Sequence, residues 1–124
     1  MDNLLFREQT YDIIGACMEV HRILGKGHHE IIYKDAIEAE FKWRNIPFER
    51  EKGFKVHYKT IILKHSYFAD FVVHGCILLE MKAIEQLTKS HIKQTLNYLA
   101  ASKLRLGLLV NFGEDSLSFK RVIL

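Results

Sequence analysis

The stretch Tyr67-Phe-Ala-Asp70-Phe-Val-Val-His-Gly75-Cys-Ile-Leu-Leu-Glu80-Met-Lys82-Ala83 constrains this chain more than any other. Two apolar runs, rich in β-branched and aromatic residues, flank His74-Gly75, and that pattern predicts a β-hairpin. Three charges interrupt it: Asp70, Glu80 and Lys82. Glu80 and Lys82 are two apart, so on a strand they point the same way. Charges set between Leu79, Met81 and Ala83 are costly to bury unless they are paired or hold a metal. Strand parity adds a condition. With a two-residue turn at His74-Gly75, Asp70 faces Leu79 and lies on the opposite face from Glu80. A three-residue loop, Val73-His74-Gly75, puts both carboxylates on one face and leaves Gly75 at the left-handed position. A bulge does the same.

Two carboxylates on neighbouring strands form a hard oxygen site for Mg²⁺ (or Mn²⁺), a cation that keeps several of its waters. Such an ion polarises a phosphate and acidifies bound water. A lysine beside it stabilises the charge that builds on the phosphate oxygens. The triplet therefore predicts metal-dependent phosphodiester hydrolysis. The plainer reading is an ion pair on a half-exposed sheet.

The spacing carries a resemblance. Asp70, then nine residues, then Glu80-x-Lys82 resembles the core of the PD-(D/E)XK nuclease superfamily, with Ala69 where a proline usually precedes the aspartate. Gly27-His-His-Glu30-Ile-Ile-Tyr33 is similar to the signature of the GxxExxY proteins, which are assigned to that superfamily. The likeness extends to Val20-His21-x-x-Leu24-Gly25-x-Gly27, Gln94-x-x-Asn97-Tyr98-Leu99 and Gly107-Leu-Leu-x-Asn111-Phe112-Gly113. Lys26 replaces the common proline between the two glycines. The resemblance implies a restriction-endonuclease-like core. It also implies that Asp70, Glu80 and the Met81 carbonyl bind metal, that Lys82 acts with the water, and that Glu30 and Gln94 support them. Read from physics alone, Glu30 is a helix N-terminal charge and Gln94 an ordinary exposed residue. Tyr33 is either core or a hydrogen-bond partner of the site.

At 124 residues the chain suits one domain, residues 1–124. A net charge of +3 and a pI near 8.9 lean mildly toward polyanions. Cys17 and Cys76 show neither a zinc spacing nor a disulfide framework, so buried, reduced thiols are expected. No apolar run reaches membrane-spanning length, and Met-Asp-Asn lacks the basic start of a signal peptide, so no membrane association and a cytoplasmic location are expected. There is no phosphate-cradling glycine loop, Gly-x-Ser-x-Gly elbow or Cys/His nucleophile pair.

Ile13, Cys17, Val20 and Leu24 recur at helical spacing, which predicts a helix from about Leu4 to Leu24, ended by Gly25-Lys26-Gly27. A second helix, about 28–44, presents Tyr33, Ala36, Ile37 and Phe41 inward. From Phe48 the period becomes two, with Phe54, Val56 and Tyr58 alternating against lysines and a histidine. A turn at Lys59-Thr60 leads into a strand from Ile61 to Val73, then one over Cys76–Ala83. Thr88 is the expected N-cap of a helix over Lys89–Ser102, with an apolar stripe of Ile92, Leu96 and Leu99. Leu106–Val110, apolar on both faces, predicts an interior strand, and Leu117–Ile123 a last one. The fold class is α/β (α+β), a mixed central sheet flanked by helices. Nucleic acid is the expected partner, contacted by His91, Tyr98, Lys89 and Lys93. The competing function is a non-catalytic nucleic-acid- or partner-binding domain on the same fold. Trp43 and the other aromatics also leave room for a homodimer surface.

Overall fold

The computed structural model of the chain describes residues 5–124. Helices α1 (Arg7–Leu24) and α2 (Glu30–Trp43) are followed by strands β1 (Phe48–Tyr58), β2 (Ile61–Val73) and β3 (Ile77–Lys82). Helix α3 (Lys89–Ser102) then crosses over to β4 (Leu106–Asn111) and β5 (Ser118–Ile123). The expected first-helix start at Leu4 lies outside the described residues.

The five strands lie in sequence order in one mixed sheet. Only β3 and β4 run parallel, which is why their connection carries a helix. Leu106–Asn111 is buried along its whole length, as its unbroken apolarity predicts for an interior strand. Helices α1 and α2 cover one face. There Ile13, Cys17, Val20, Tyr33, Ile37 and Phe41 pack on Phe71, Val73, Ile77, Leu79, Met81, Leu108 and Val110. Helix α3 covers the other face through Leu99, which packs with Val72, Leu78, Leu109 and Val122. The fold is therefore α+β with helices on both faces.

Three expectations are corrected. The hairpin loop is His74-Gly75-Cys76, one residue later than Val73-His74-Gly75, because Val73 stays paired with Ile77 and buried in the core. His74 and Gly75 both take positive φ, 55° and 70°. Cys76 in that loop is only half-buried, whereas Cys17 is buried and its thiol is pushed up to about 12 by desolvation. On α3 the most buried inward residue besides Leu99 is Thr95, absent from the expected stripe, while Ile92 and Leu96 are half-buried. The Thr95 hydroxyl donates to the His91 carbonyl, and its methyl lies where a side chain on Gly107 would stand, 2.8 Å from the ideal Cβ position. A threonine can face a core when its one polar group is satisfied by its own helix.

The end of β3 is pinned by Asn111. Its Oδ1 accepts from the N–H groups of Ile84 and Gly113, and its Nδ2 donates to the Ile84 carbonyl and Glu114 Oε2. Gly113 is needed there: a Cβ would stand 2.2 Å from the Ile84 carbonyl oxygen. The Phe112 N–H donates to the Lys82 carbonyl at 2.8 Å, so this knot also fixes the backbone of Lys82.

Candidate active site

The β2–β3 ladder pairs Val73 with Ile77, Val72 with Leu78 and Phe71 with Leu79, then stops. Extending that register sets Asp70 opposite Glu80, so the carboxylates share a face, as the loop-length argument requires. Beyond Leu79 they take over from the ladder. The Asp70 N–H donates to Glu80 Oε2 at 3.0 Å, and the Met81 N–H donates to Asp70 Oδ2 at 2.7 Å. Each side chain thus satisfies a backbone donor on the opposite strand, and both are held in hydrogen bonds that limit their rotation. Asp70 is 8% exposed and Glu80 4%.

Helices α2 and α3, on opposite faces of the sheet, both send side chains to this point. From α2, Lys34 Nζ lies 2.7 Å from Asp70 Oδ1, 3.2 Å from Glu30 Oε2 and 3.7 Å from Glu51 Oε1. Glu30 therefore points toward the hairpin and meets Asp70 through this lysine. From α3, Gln94 Oε1 accepts from Lys82 Nζ at 3.0 Å. Burial lowers the Lys34 pKa most, but hydrogen bonds and charge from Asp70 and Glu30 outweigh it, and the ammonium is held above the ordinary lysine value.

The remaining expected site residues separate. Tyr98 is beside the site: its ring is 5.1 Å from that of Tyr67, and burial with the Glu80 and Asp70 charges pushes its hydroxyl up. His91 turns back on its own helix, where its Nδ1 accepts from the Thr88 N–H at 3.0 Å and closes the N-terminal cap of α3. Lys89 and Lys93 are exposed on α3. Met81 contributes its N–H to Asp70, while its side chain lies in the core. Tyr33 belongs to the core too. It stacks on Phe112 at 4.7 Å, and its hydroxyl donates to the Gly25 carbonyl at 2.6 Å, tying down the α1–α2 loop. Lys34 and Glu51 were missed in the sequence. The one available signal for Lys34 was its i, i+4 spacing from Glu30.

Among the described residues, no three His, Cys, Asp or Glu side chains converge as a complete ligand set. Asp70 and Glu80 still fit a hard divalent cation. Each commits one oxygen to a backbone N–H, Asp70 Oδ1 already holds a cationic group, and Mg²⁺ requires only one or two carboxylates because it keeps waters. A concavity of about 700 Å³ between α1 and β5 is lined by Arg7, Tyr11, Phe119 and Arg121 and contains none of these residues.

Burial, then the charge of Asp70, pushes the Glu80 carboxyl up to about 8; the Asp70 N–H, Lys82 and Lys34 pull against this. The folded pKa lies above the ordinary value of 4.5, so between these two values the folded chain holds a proton that the unfolded chain has lost. Stability without metal should therefore fall as pH rises from about 4.5 to about 8, then level off in this respect. Urea unfolding in chelator across that window checks this. Glu80→Gln should flatten the slope, and an unchanged slope would remove Glu80 as its source.

The sequence matches the PD-(D/E)XK nuclease superfamily over residues 7–122. The chain belongs to that superfamily. Comparison with curated proteins returns no match. The fold is similar to the crystal structure of SSO0001, with a TM-score of 0.60 at 20% sequence identity. That likeness covers 94% of this chain and 59% of the SSO0001 chain, so this chain spans less than two thirds of that chain's length. Among the described residues, no helix is long and apolar enough to cross a membrane.

Proposed function

We propose that residues 1–124 form one nuclease-like domain of the GxxExxY kind, which hydrolyses phosphodiester bonds of nucleic acid with Mg²⁺ or Mn²⁺. The observation that carries this reading is the crossed bonding of Asp70 and Glu80 at the splayed end of the β2–β3 hairpin, with Lys82 two residues on. A structural ion pair has no need to break a ladder. An ion held by Asp70, Glu80 and the Met81 carbonyl would supply a polarised phosphate and a more acidic water. Lys82, steadied by Gln94, is placed to meet negative charge on the phosphate oxygens. Glu30, through Lys34, sets the charge around Asp70. Tyr98 borders the site on α3, and the exposed Lys89 and Lys93 of the same helix suit backbone phosphates. His91 has the weaker claim, since its Nδ1 is committed to the helix cap.

The experiment is a cleavage assay on single- and double-stranded DNA and RNA, with Mg²⁺ or Mn²⁺ against chelator. Metal-dependent products are expected. Pure protein that binds Mn²⁺ yet cuts none of the four polymers would favour the non-catalytic binding domain.

A further inference from the structure

The β1–β2 hairpin extends far beyond the sheet that it begins. Strand β3 reaches β2 only at Phe71–Val73, so residues 52–69 form a two-stranded ribbon without a third strand. Glu51, at φ 54°, marks where the ribbon turns over. Phe48 and Phe54 share strand parity, yet Phe48 packs under α1 and α2 whereas Phe54 packs with the α3 cluster. The root of the ribbon touches α3 through Tyr67 and Tyr98, and its tip leaves Tyr58, Ile61 and Ile62 more than half exposed. Phe68 is 57% exposed and lies across Gly53, its ring 3.0 Å from where a glycine Cβ would stand.

Residues 52–69 contain Lys52, Lys55, Lys59, Lys64, His57 and His65, and no aspartate or glutamate. Among the described residues, Lys55, Lys59 and Lys64 have no carboxylate within ion-pair distance. The next residue after this basic ribbon is Asp70. Resting on the reading of that site as one acting on nucleic acid, we propose that the ribbon is a duplex-binding arm. It lies in a groove of double-stranded nucleic acid and holds the backbone over Asp70, Glu80 and Lys82.

Charge complementarity favours this occupant. An acid-free ribbon with unpaired lysines on both strands matches two rows of phosphates, and a major groove about 12 Å wide admits a two-stranded β-ribbon. A second copy of the chain fits less well. Two such ribbons repel each other. The edge is also broken by a bulge, where Val56 alone on β1 spans Leu63, Lys64 and His65 on β2. Lysines and bulges are the devices that keep a strand edge from pairing with its own kind.

The test uses the whole chain in chelator, so that no cleavage is involved. Its probes are labelled duplex DNA of mixed sequence and the matching single strand. Wild type should bind the duplex more tightly, with affinity falling steeply as salt rises. The triple variant Lys55→Gln, Lys59→Gln, Lys64→Gln should bind roughly ten- to a hundred-fold more weakly at low salt, with a salt slope smaller by about 2–3. Mn²⁺ binding, measured by calorimetry, should stay at the wild-type level. Unchanged duplex affinity and slope in the variant, no duplex binding by wild type, or tighter binding of the single strand each overturns the arm. A wild-type dimer that becomes a monomer in Ile61→Ser, Ile62→Ser, together with unchanged duplex binding in the lysine variant, would make the ribbon a self-association surface instead. The two readings fail separately. Duplex held through the ribbon but never cut with metal leaves the arm and removes the nuclease. Metal-dependent cutting by a triple variant that binds like wild type does the reverse.

Discussion

Lys82→Ala should lower cleavage by about 10²–10³-fold or more while leaving the chain folded. The Lys82 side chain is half-buried and, among the described residues, its one side-chain hydrogen bond is to the exposed Gln94, so little packing is lost. Its backbone stays fixed by the Phe112 N–H. What disappears is a positioned cation at the point where the reacting phosphate gains charge. Most metal binding should survive, because the ligands proposed are Asp70, Glu80 and the Met81 carbonyl. Asp70→Asn should behave differently. It removes a charged ligand and the partner of Lys34, so it weakens the metal site itself. Raising Mg²⁺ should restore part of the activity of Asp70→Asn and none of that of Lys82→Ala. Cleavage rates for both variants across a metal titration decide the matter. Activity unchanged in Lys82→Ala would sink the role assigned to this lysine even if the chain is a nuclease.

Lys34→Met should destabilise the metal-free chain and tighten its hold on a divalent cation. The side chains of Lys34 and Asp70 are 13% and 12% exposed, so this is a largely desolvated pair. Removing one partner of a buried pair typically costs ~3–5 kcal/mol, because a charge is left without compensation. Asp70 keeps its bond from the Met81 N–H and Glu80 can hold a proton, so the lower end, about 3 kcal/mol, is expected. The same ammonium occupies Asp70 Oδ1, an oxygen that a metal would use. Without it, Mn²⁺ should bind about ten-fold more tightly, equivalent to about 1.4 kcal/mol. Saturating Mn²⁺ should then raise the melting temperature of Lys34→Met by more than that of wild type, because ligand linkage adds to stability as affinity rises. Thermal melts with and without Mn²⁺ read both effects. Weaker Mn²⁺ binding in the variant would show instead that Lys34 holds the carboxylates in their binding geometry.

The elements of the fold were legible because each one writes its period in the chain. The Ile13, Cys17, Val20 stripe of α1, the period of two from Phe48 and the unbroken apolar run of β4 follow directly from which faces are covered. Asp70, Glu80 and Lys82 stood out for the opposite reason: charge in an apolar strand is costly and needs a cause. The single-residue placement of the hairpin loop was not legible. His74-Gly75 supports several loops, and burial of Val73 against the helices selects one.

Other features depend on distances in space that local sequence does not encode. Lys34 comes from a helix on the far face of the sheet, and it reaches Asp70 only because the ladder stops at Phe71 and Leu79. Thr95 faces the core because Gly107, twelve residues on, leaves space for its methyl. The ribbon of residues 52–69 reads in sequence as one more half-exposed hairpin. It becomes a free arm because β3 is only six residues long and cannot follow β2 outward. Periodicity and the cost of buried charge, both local properties, thus determined the elements and the Asp70, Glu80 and Lys82 triplet from sequence alone. Strand length and register, which only packing settles, decided what surrounds that triplet and how far the ribbon reaches beyond it.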